Sequence, residues 1–208
     1  MSSSPGRARP QPLPGLRGHG LHLRPWDPES RAGAQVWLRG LTDPEFRRWN
    51  TPLRPVTDPD GARRSLRRGA LRDTDGTGAS FRIADAATGA ALGHVGVDEI
   101  HPVPRRATAG HRVLSEARGR AVAPRALLLA ARRALTGLGL HRLGPSHAPG
   151  HEASCRIAGR CGFRYEGTVH GAVFAAGRRD AFRDARPHAR LATDPEPGPP
   201  PVTATATP

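Results

Sequence analysis

Between Val113 and Ala126 the sequence VLSEARGRAVAPRA runs from an extended apolar stretch, through a turn of arginines and small residues, straight into a helix. That helix, Val122–Leu135, is the longest periodic stretch in the chain, and Gly137 and Gly139 end it. The first amides of a helix lack intrahelical acceptors and lie at the positive end of its dipole, which makes them an anion site. Gly119, Ala121 and Ala123 are small enough to let a phosphate approach the backbone, and Arg118 and Arg120 add charge at the mouth. Any strand-to-helix turn containing glycine shares these traits, so this segment alone also leaves an ordinary connection open. Arg125, Arg132 and Arg133 fall at i, i+7 and i+8 and predict a solvated stripe on an otherwise apolar helix.

The elements around this segment predict an α+β domain with a mixed, mainly antiparallel central sheet and flanking helices. LHLRPW (Leu21–Trp26) reads as a first strand. Asp27-Pro28, Asp43-Pro44 and Asp58-Pro59 each offer a capping carboxylate and a preset φ, predicting helices over 28–40, 44–49 and 59–72. SFRIAD (80–85) and ALGHVGVDEI (91–100) predict a hairpin, followed by a strand over about 106–114. HRLGPSHA predicts a strand, Glu152–Cys161 a short helix closed by Gly162, and FRYEGTV another strand. Residues 1–18 and 193–208, rich in Pro, Gly, Ser and Thr, predict disordered tails around one domain over 19–192. The N-terminus has no apolar core of a secretory signal and the chain no apolar run long enough to span a bilayer, so a cytoplasmic location and no membrane partner are expected.

A net charge of +14 suggests nucleic acid, but all 32 basic residues are arginine, scattered along the chain with few aromatic residues between them. This pattern, with abundant Ala, Gly and Pro, reads as GC-rich coding rather than as a nucleic-acid footprint, and argues against such a partner. Cys155 and Cys161 are too few for a disulfide framework and fit no common zinc spacing; both are expected as small packing residues, with no metal.

Taken in order, several blocks resemble the GNAT superfamily. Arg118-Gly119-Arg120-Ala121-Val122-Ala123 resembles its Q/R-x-x-G-x-G/A motif, and HEASCRIAGRCGFRYEGTV resembles the N-x-x-S-x-R-x-A-x-x-x-G-F-x-x-E-G block of its RimJ/RimL-like branch, which includes ribosomal-protein N-terminal acetyltransferases. LHLRPW, DPEFRRW and HARLATDP are also similar to that branch, so the resemblance spans roughly residues 20–195. It implies an N-acetyltransferase with acetyl-CoA as cosubstrate and no metal. The acceptor would be a primary amine, either a protein N-terminus or a small molecule, and the enzyme a homodimer. Direct attack by the neutral amine in a ternary complex is the implied mechanism.

The resemblance also implies roles for particular residues. The amides of Arg120, Ala121, Val122 and Ala123, with Arg118 and Gly119, would hold the pyrophosphate. The strand end at Val113 and Leu114 would splay from its neighbour, pair with the pantetheine arm and polarise the thioester carbonyl. Ser154 would protonate the leaving thiolate. His151 would contact the cofactor and help cap its helix. Glu45 and Trp49 are candidates for an acceptor pocket, and His94, Asp98, Glu99 and His111 for the base, since base catalysis needs a titratable group near the amine.

The chain departs from the family pattern at several of these places. Ala121 replaces a usual glycine, His151 an asparagine, and His111 and Arg112 an aromatic pair; Thr108 stands where a glutamate is common, and Pro145 interrupts a strand. These departures support an alternative reading, a weakened GNAT domain that binds acyl-CoA or a protein partner.

Overall fold

The structure, a computed structural model, describes residues 15–175 and 177–198. The chain opens with β1 (Leu16–Gly18) and β2 (Leu21–Pro25), then α1 (Arg31–Thr42), α2 (Pro44–Trp49) and α3 (Pro59–Asp75). A meander follows, made of β3 (Ala79–Asp85), β4 (Ala91–His101) and β5 (Arg106–Val113). The helix α4 (Val122–Arg132) leads to β6 (Arg142–Gly144) and β7 (Ser146–His147). After α5 (Glu152–Arg160) come β8 (Arg164–Tyr165), β9 (Val169–Phe174) and β10 (Phe182–Leu191). The order across the sheet is β1-β2-β3-β4-β5-β6-β10-β7, with β8 and β9 also paired to β10. Among the described residues only the β5–β6 pair is parallel.

Caps explain most of the helix starts. Asp43 and Asp58 accept from the amides of Phe46 and Gly61, so those two Asp-Pro starts hold as expected. The first does not: Asp27 accepts from Glu29 in a local turn, and Ser30 caps α1 through the Gly33 amide. The helix therefore starts at Arg31, not at residue 28.

The largest core lies between the sheet and α4. Phe81, Ile83, Val95 and Val97 meet Leu127, Ala130 and Ala134, all buried. A second cluster, Trp26, Trp37 and Leu66, packs α1 and α3 on the sheet's other face. At Gly93 the neighbouring strand leaves no room for a side chain: a Cβ there would lie 2.3 Å from the Arg112 carbonyl oxygen.

The tail boundaries need correction. Leu16–Gly18 is not a tail but pairs with β2, because a hairpin turn at His19-Gly20 returns the chain onto the sheet. Asp194, also expected in a tail, accepts from the Leu191 amide at 2.8 Å. Residues 1–14 and 199–208 of the expected tails lie outside the described residues. The predicted HRLGPSHA strand is split at Pro145, whose carbonyl takes the His188 amide at 2.9 Å. The last turn of the central helix opens into a π turn over Arg133–Gly137.

Candidate active site

The turn before α4 is shaped by backbone conformation. Gly119 and Ala121 both adopt positive φ, 75° and 51°, and the chain enters the helix with no side-chain cap. The amides of Gly119–Ala123 find no protein acceptor among the described residues. The carbonyls are turned the other way. Arg125, expected on a solvated stripe, is buried instead: its guanidinium donates to Ala121 (3.1 Å), Arg120 (2.9 Å) and His19 (2.8 Å). One side chain thus holds the turn from behind and ties it to the β1–β2 hairpin, leaving the amide face outward. The solvated-stripe reading fails at Arg125 because satisfying buried carbonyls outweighs hydrating the charge.

The second element is an open sheet edge. β5 pairs with β6 only over Arg106, Ala107 and Thr108; beyond them β6 ends at Gly144 and Pro145 follows. Along its other edge β5 stays paired with β4 up to Val113. The Leu114 amide continues that ladder by donating to Leu92 at 2.9 Å. Backbone groups alternate direction along an antiparallel strand, so Ala109, His111 and Val113 present their N–H and C=O groups to the open edge. The expectation for Leu114 is thereby corrected: its amide is already used, and its side chain is buried. Val113 and His111 are the residues with groups to offer.

Between this edge, the amide turn, α5 and α2 lies a cleft of about 600 Å³. A cavity of about 100 Å³ adjoins it, and His111, His151 and Ser154 line both. Val113, Arg118, Gly119, Ala121, Val122 and Ala123 line the larger cleft, as do Glu45 and Trp49. Ser154 sits in the first turn of α5.

The wall opposite the amides is made of side chains. The Trp49 ring stacks flat on His151, with centroids 4.6 Å apart, and its Nε1–H donates to Glu45 at 2.7 Å. Arg183 donates to the Trp49 carbonyl at 2.7 Å. Arg112 lays its guanidinium 3.9 Å from the Trp37 ring, and its Nη2 is buried without a hydrogen-bond partner among the described residues. Burial pulls Arg112 down to about 9, opposed by the Asp98 charge, so it stays protonated at neutral pH. Burial also pulls His111 down to about 4, with repulsion from His151 and His147 adding to it. His151 is lowered by burial and by His147, against Glu45. Both imidazoles are neutral at pH 7.

Other expectations resolve individually. His94 is not part of the cleft: it is buried between Trp26 and Trp37 and accepts from Trp26 Nε1 at 3.2 Å, so it serves packing. Asp98 pairs with Arg72 at 3.2 Å and Glu99 is exposed, both outside the cleft. Arg118 reaches the cleft but is held by Asp43 at 2.6 Å. Desolvation would raise the Asp43 pKa, yet the Phe46 amide and Arg118 outweigh it and the net shift is downward. Arg120 contributes backbone only, since its exposed side chain does not line the cleft. His151 makes no capping hydrogen bond; its ring stacks on Trp49 instead.

Sequence reading missed Arg156 and Arg160, which line the cleft from α5 and form no ion pair among the described residues. Their i, i+4 spacing, which places both on one helix face, was the available signal. Phe46 was missed too, although it adjoins Glu45 on α2.

An open sheet edge beside an outward-facing amide turn, with a serine across the gap, fits an extended ligand that ends in an anion. The chain belongs to the GNAT acetyltransferase family: the family model for the acetyltransferase (GNAT) domain matches residues 20–164. No curated protein matches the sequence. Among solved structures it is similar to RimL, a ribosomal L7/L12 α-N-protein acetyltransferase in complex with coenzyme A, at TM-score 0.76 and 18% identity, covering 86% of this chain and 98% of that one. RimJ of Mycobacterium smegmatis, in complex with CoA-disulfide, aligns at TM-score 0.74 and 22% identity over 88% of each chain. Ribosomal-protein-S5-alanine acetyltransferase from Vibrio fischeri aligns at TM-score 0.74 and 17% identity, over 89% of this chain and all of that one (100%). No helix among the described residues is long and apolar enough to cross a membrane.

Proposed function

We propose that this acetyltransferase binds acetyl-CoA in the cleft and passes the acetyl group to the α-amine of a protein N-terminus by direct attack. The carrying observation is the free edge of β5 at Ala109, His111 and Val113, running into the outward amides of Gly119–Ala123. An extended amide-bearing arm pairs with such an edge as an added strand, and a pyrophosphate meets the helix start. Arg156 and Arg160 supply cationic charge on the same side. In this reading a Val113 or His111 amide polarises the thioester carbonyl, Ser154 gives its proton to the departing thiolate, and neutral His111 accepts the amine's proton. A protein acceptor is favoured because the RimL and S5-alanine acetyltransferase structures are of enzymes named for ribosomal proteins.

Thermal shift tests the binding half: saturating coenzyme A or acetyl-CoA must raise the melting temperature by mass action. Thiol release with acetyl-CoA and a panel of peptides with free N-termini, beside small amines, tests the transfer half. No shift with either cofactor would end this reading. A weakened domain that binds acyl-CoA without turnover is the second reading, favoured by the non-glycine Ala121 at positive φ and by the pairing of Arg118 with Asp43. It predicts a thermal shift with no thiol release against any amine.

A further inference from the structure

Behind the small cavity, three elements bring together His147 of β7, Cys155 of α5 and His188 of β10. One potential ligand atom from each lies within 4.8 Å of the others. Cys155 Sγ is 3.8 Å from His188 Nε2, and the two imidazoles stack with centroids 5.1 Å apart. Each ring places Nδ1 near a backbone carbonyl, Ala148 at 3.0 Å for His147 and Arg186 at 3.3 Å for His188. A carbonyl can only accept, so the ring proton sits on Nδ1 in both; the Nε2 lone pair of His147 is then free and that of His188 faces the Cys155 thiol, whose proton metal binding would displace. His147 Nε2 is buried with no hydrogen-bond partner among the described residues, and His188 is almost fully buried.

We propose that His147, Cys155 and His188 form a binding site for a thiophilic divalent transition metal, zinc foremost. The donor set suits that ion: two imidazole nitrogens and one thiolate, with the second ring nitrogens oriented by carbonyls as metal-bound histidines usually are. Zinc ligand distances of about 2.0–2.3 Å put tetrahedral ligand atoms roughly 3.3–3.6 Å apart. The observed Sγ–Nε2 separation of 3.8 Å needs only a small contraction, and drawing in all three ligand atoms, which lie within 4.8 Å of one another, takes up to about an ångström more. Binding releases the Cys155 thiol proton to solvent, and the thiolate offsets one of the ion's two charges. Arg186 is the nearby cation, and Glu152 faces it at 3.9 Å. Three protein ligands leave the fourth position to water. An occupied site ties β7 and β10 to α5 at the residue next to Ser154, so it stiffens the helix that carries the cleft's serine. Two cysteines five residues apart concealed this, since only one of them takes part.

The proposal does not rest on the acetyltransferase reading, and its test is spectroscopic. Tag-free protein stripped with chelator is titrated with Co2+. The expected result is saturation at one equivalent, with visible bands of a tetrahedral ion and a thiolate-to-cobalt charge-transfer band, all bleached by Zn2+. Cys155→Ser loses the charge-transfer band. Cys161→Ala keeps it, because the Cys161 thiol is fully buried against the Pro124 carbonyl and pushed up to about 12 by burial. His188→Gln and His147→Gln retain the thiol and weaken Co2+ binding at least tenfold, which keeps the test decisive if Cys155→Ser misfolds. Absence of cobalt bands in the wild type, or bands that survive Cys155→Ser or both histidine variants, overturns the site.

Discussion

One wall of the cleft is backbone and the other is side chain. The β5 edge and the α4 turn present N–H and C=O groups whose directions follow from strand alternation and from two positive-φ residues. Facing them, Glu45 and Trp49 arrive from α2, His151 from the residue before α5 and Arg112 from β5, while Arg183 of β10 holds the Trp49 carbonyl. The first wall can move only if a strand or helix moves. The second is held by stacking, by single hydrogen bonds and by aromatic contacts of arginine, and it can repack. In a transferase this division is useful, because a constant cosubstrate suits a fixed surface while acceptor choice suits an adjustable one.

The strongest way to break this division is to remove the one side chain on which the backbone wall depends. Arg125→Leu leaves the carbonyls of His19 and Arg120 without their side-chain donor and Ala121 with only the backbone amide of residue 125 at 3.4 Å. The expected cost is on the order of 3–5 kcal/mol in denaturant unfolding, with coenzyme A affinity reduced at least tenfold by calorimetry. Undiminished affinity would show that the turn holds its shape without support. Next comes Ser154→Ala, where loss of the proposed general acid should lower kcat by roughly 10²-fold while the dissociation constant for coenzyme A stays unchanged. Equal loss of both would make Ser154 structural and blur the two walls.

Acid should act on the side-chain wall first. Burial holds native His111 near 4, below its ordinary 6.5, so between those values the unfolded chain binds a proton that the folded chain does not. Stability is therefore full above about pH 6.5 and falls as pH drops toward 4. His151 and His188 are shifted the same way. For His111, a half-buried residue, the loss is about 1–2 kcal/mol. His111→Asn should flatten urea-unfolding stability across that window; an unchanged slope would place the acid sensitivity elsewhere. A gentler probe is Trp49→Ala, which removes the stacking partner of His151 and the donor to Glu45. The expected outcome is a several-fold rise in acceptor KM with cofactor affinity intact, read by steady-state kinetics with a peptide acceptor.

The same division explains what could be read from the sequence. The backbone wall was legible because it is local: strand, small-residue turn and helix start occupy consecutive residues, and Asp43 and Asp58 mark their helices by rules that act over three positions. What escaped was long-range. Nothing near Arg125 in sequence announces a hairpin carbonyl at His19 as its partner, and periodicity alone assigned it to solvent. Leu114 failed for a similar reason: which strand residues face an open edge depends on the β4 register, fixed by pairs such as Gly93–Val113. His94 looked like a base because a strand histidine is ambiguous until its neighbours, here two tryptophans, are known. Arg156 and Arg160 were legible by spacing and simply passed over.

The finest test lies at the join of the two walls, where Ala121 lines the cleft in a conformation that favours glycine. With φ at 51° its Cβ crowds the following backbone, a cost of about 1–2 kcal/mol for an L-residue. Glycine removes that cost but gives the unfolded chain more freedom, which takes back roughly 0.5–1 kcal/mol. Ala121→Gly should therefore stabilise the protein by about 0.5 kcal/mol. Because the methyl group stands beside the amides proposed to meet pyrophosphate, coenzyme A affinity should rise as well, while acceptor KM stays constant. A gain in stability without a gain in affinity would mean that the Cβ points away from the phosphates. The departure from the family's glycine would then be neutral for binding, and the reading of a weakened domain would lose one of its two supports.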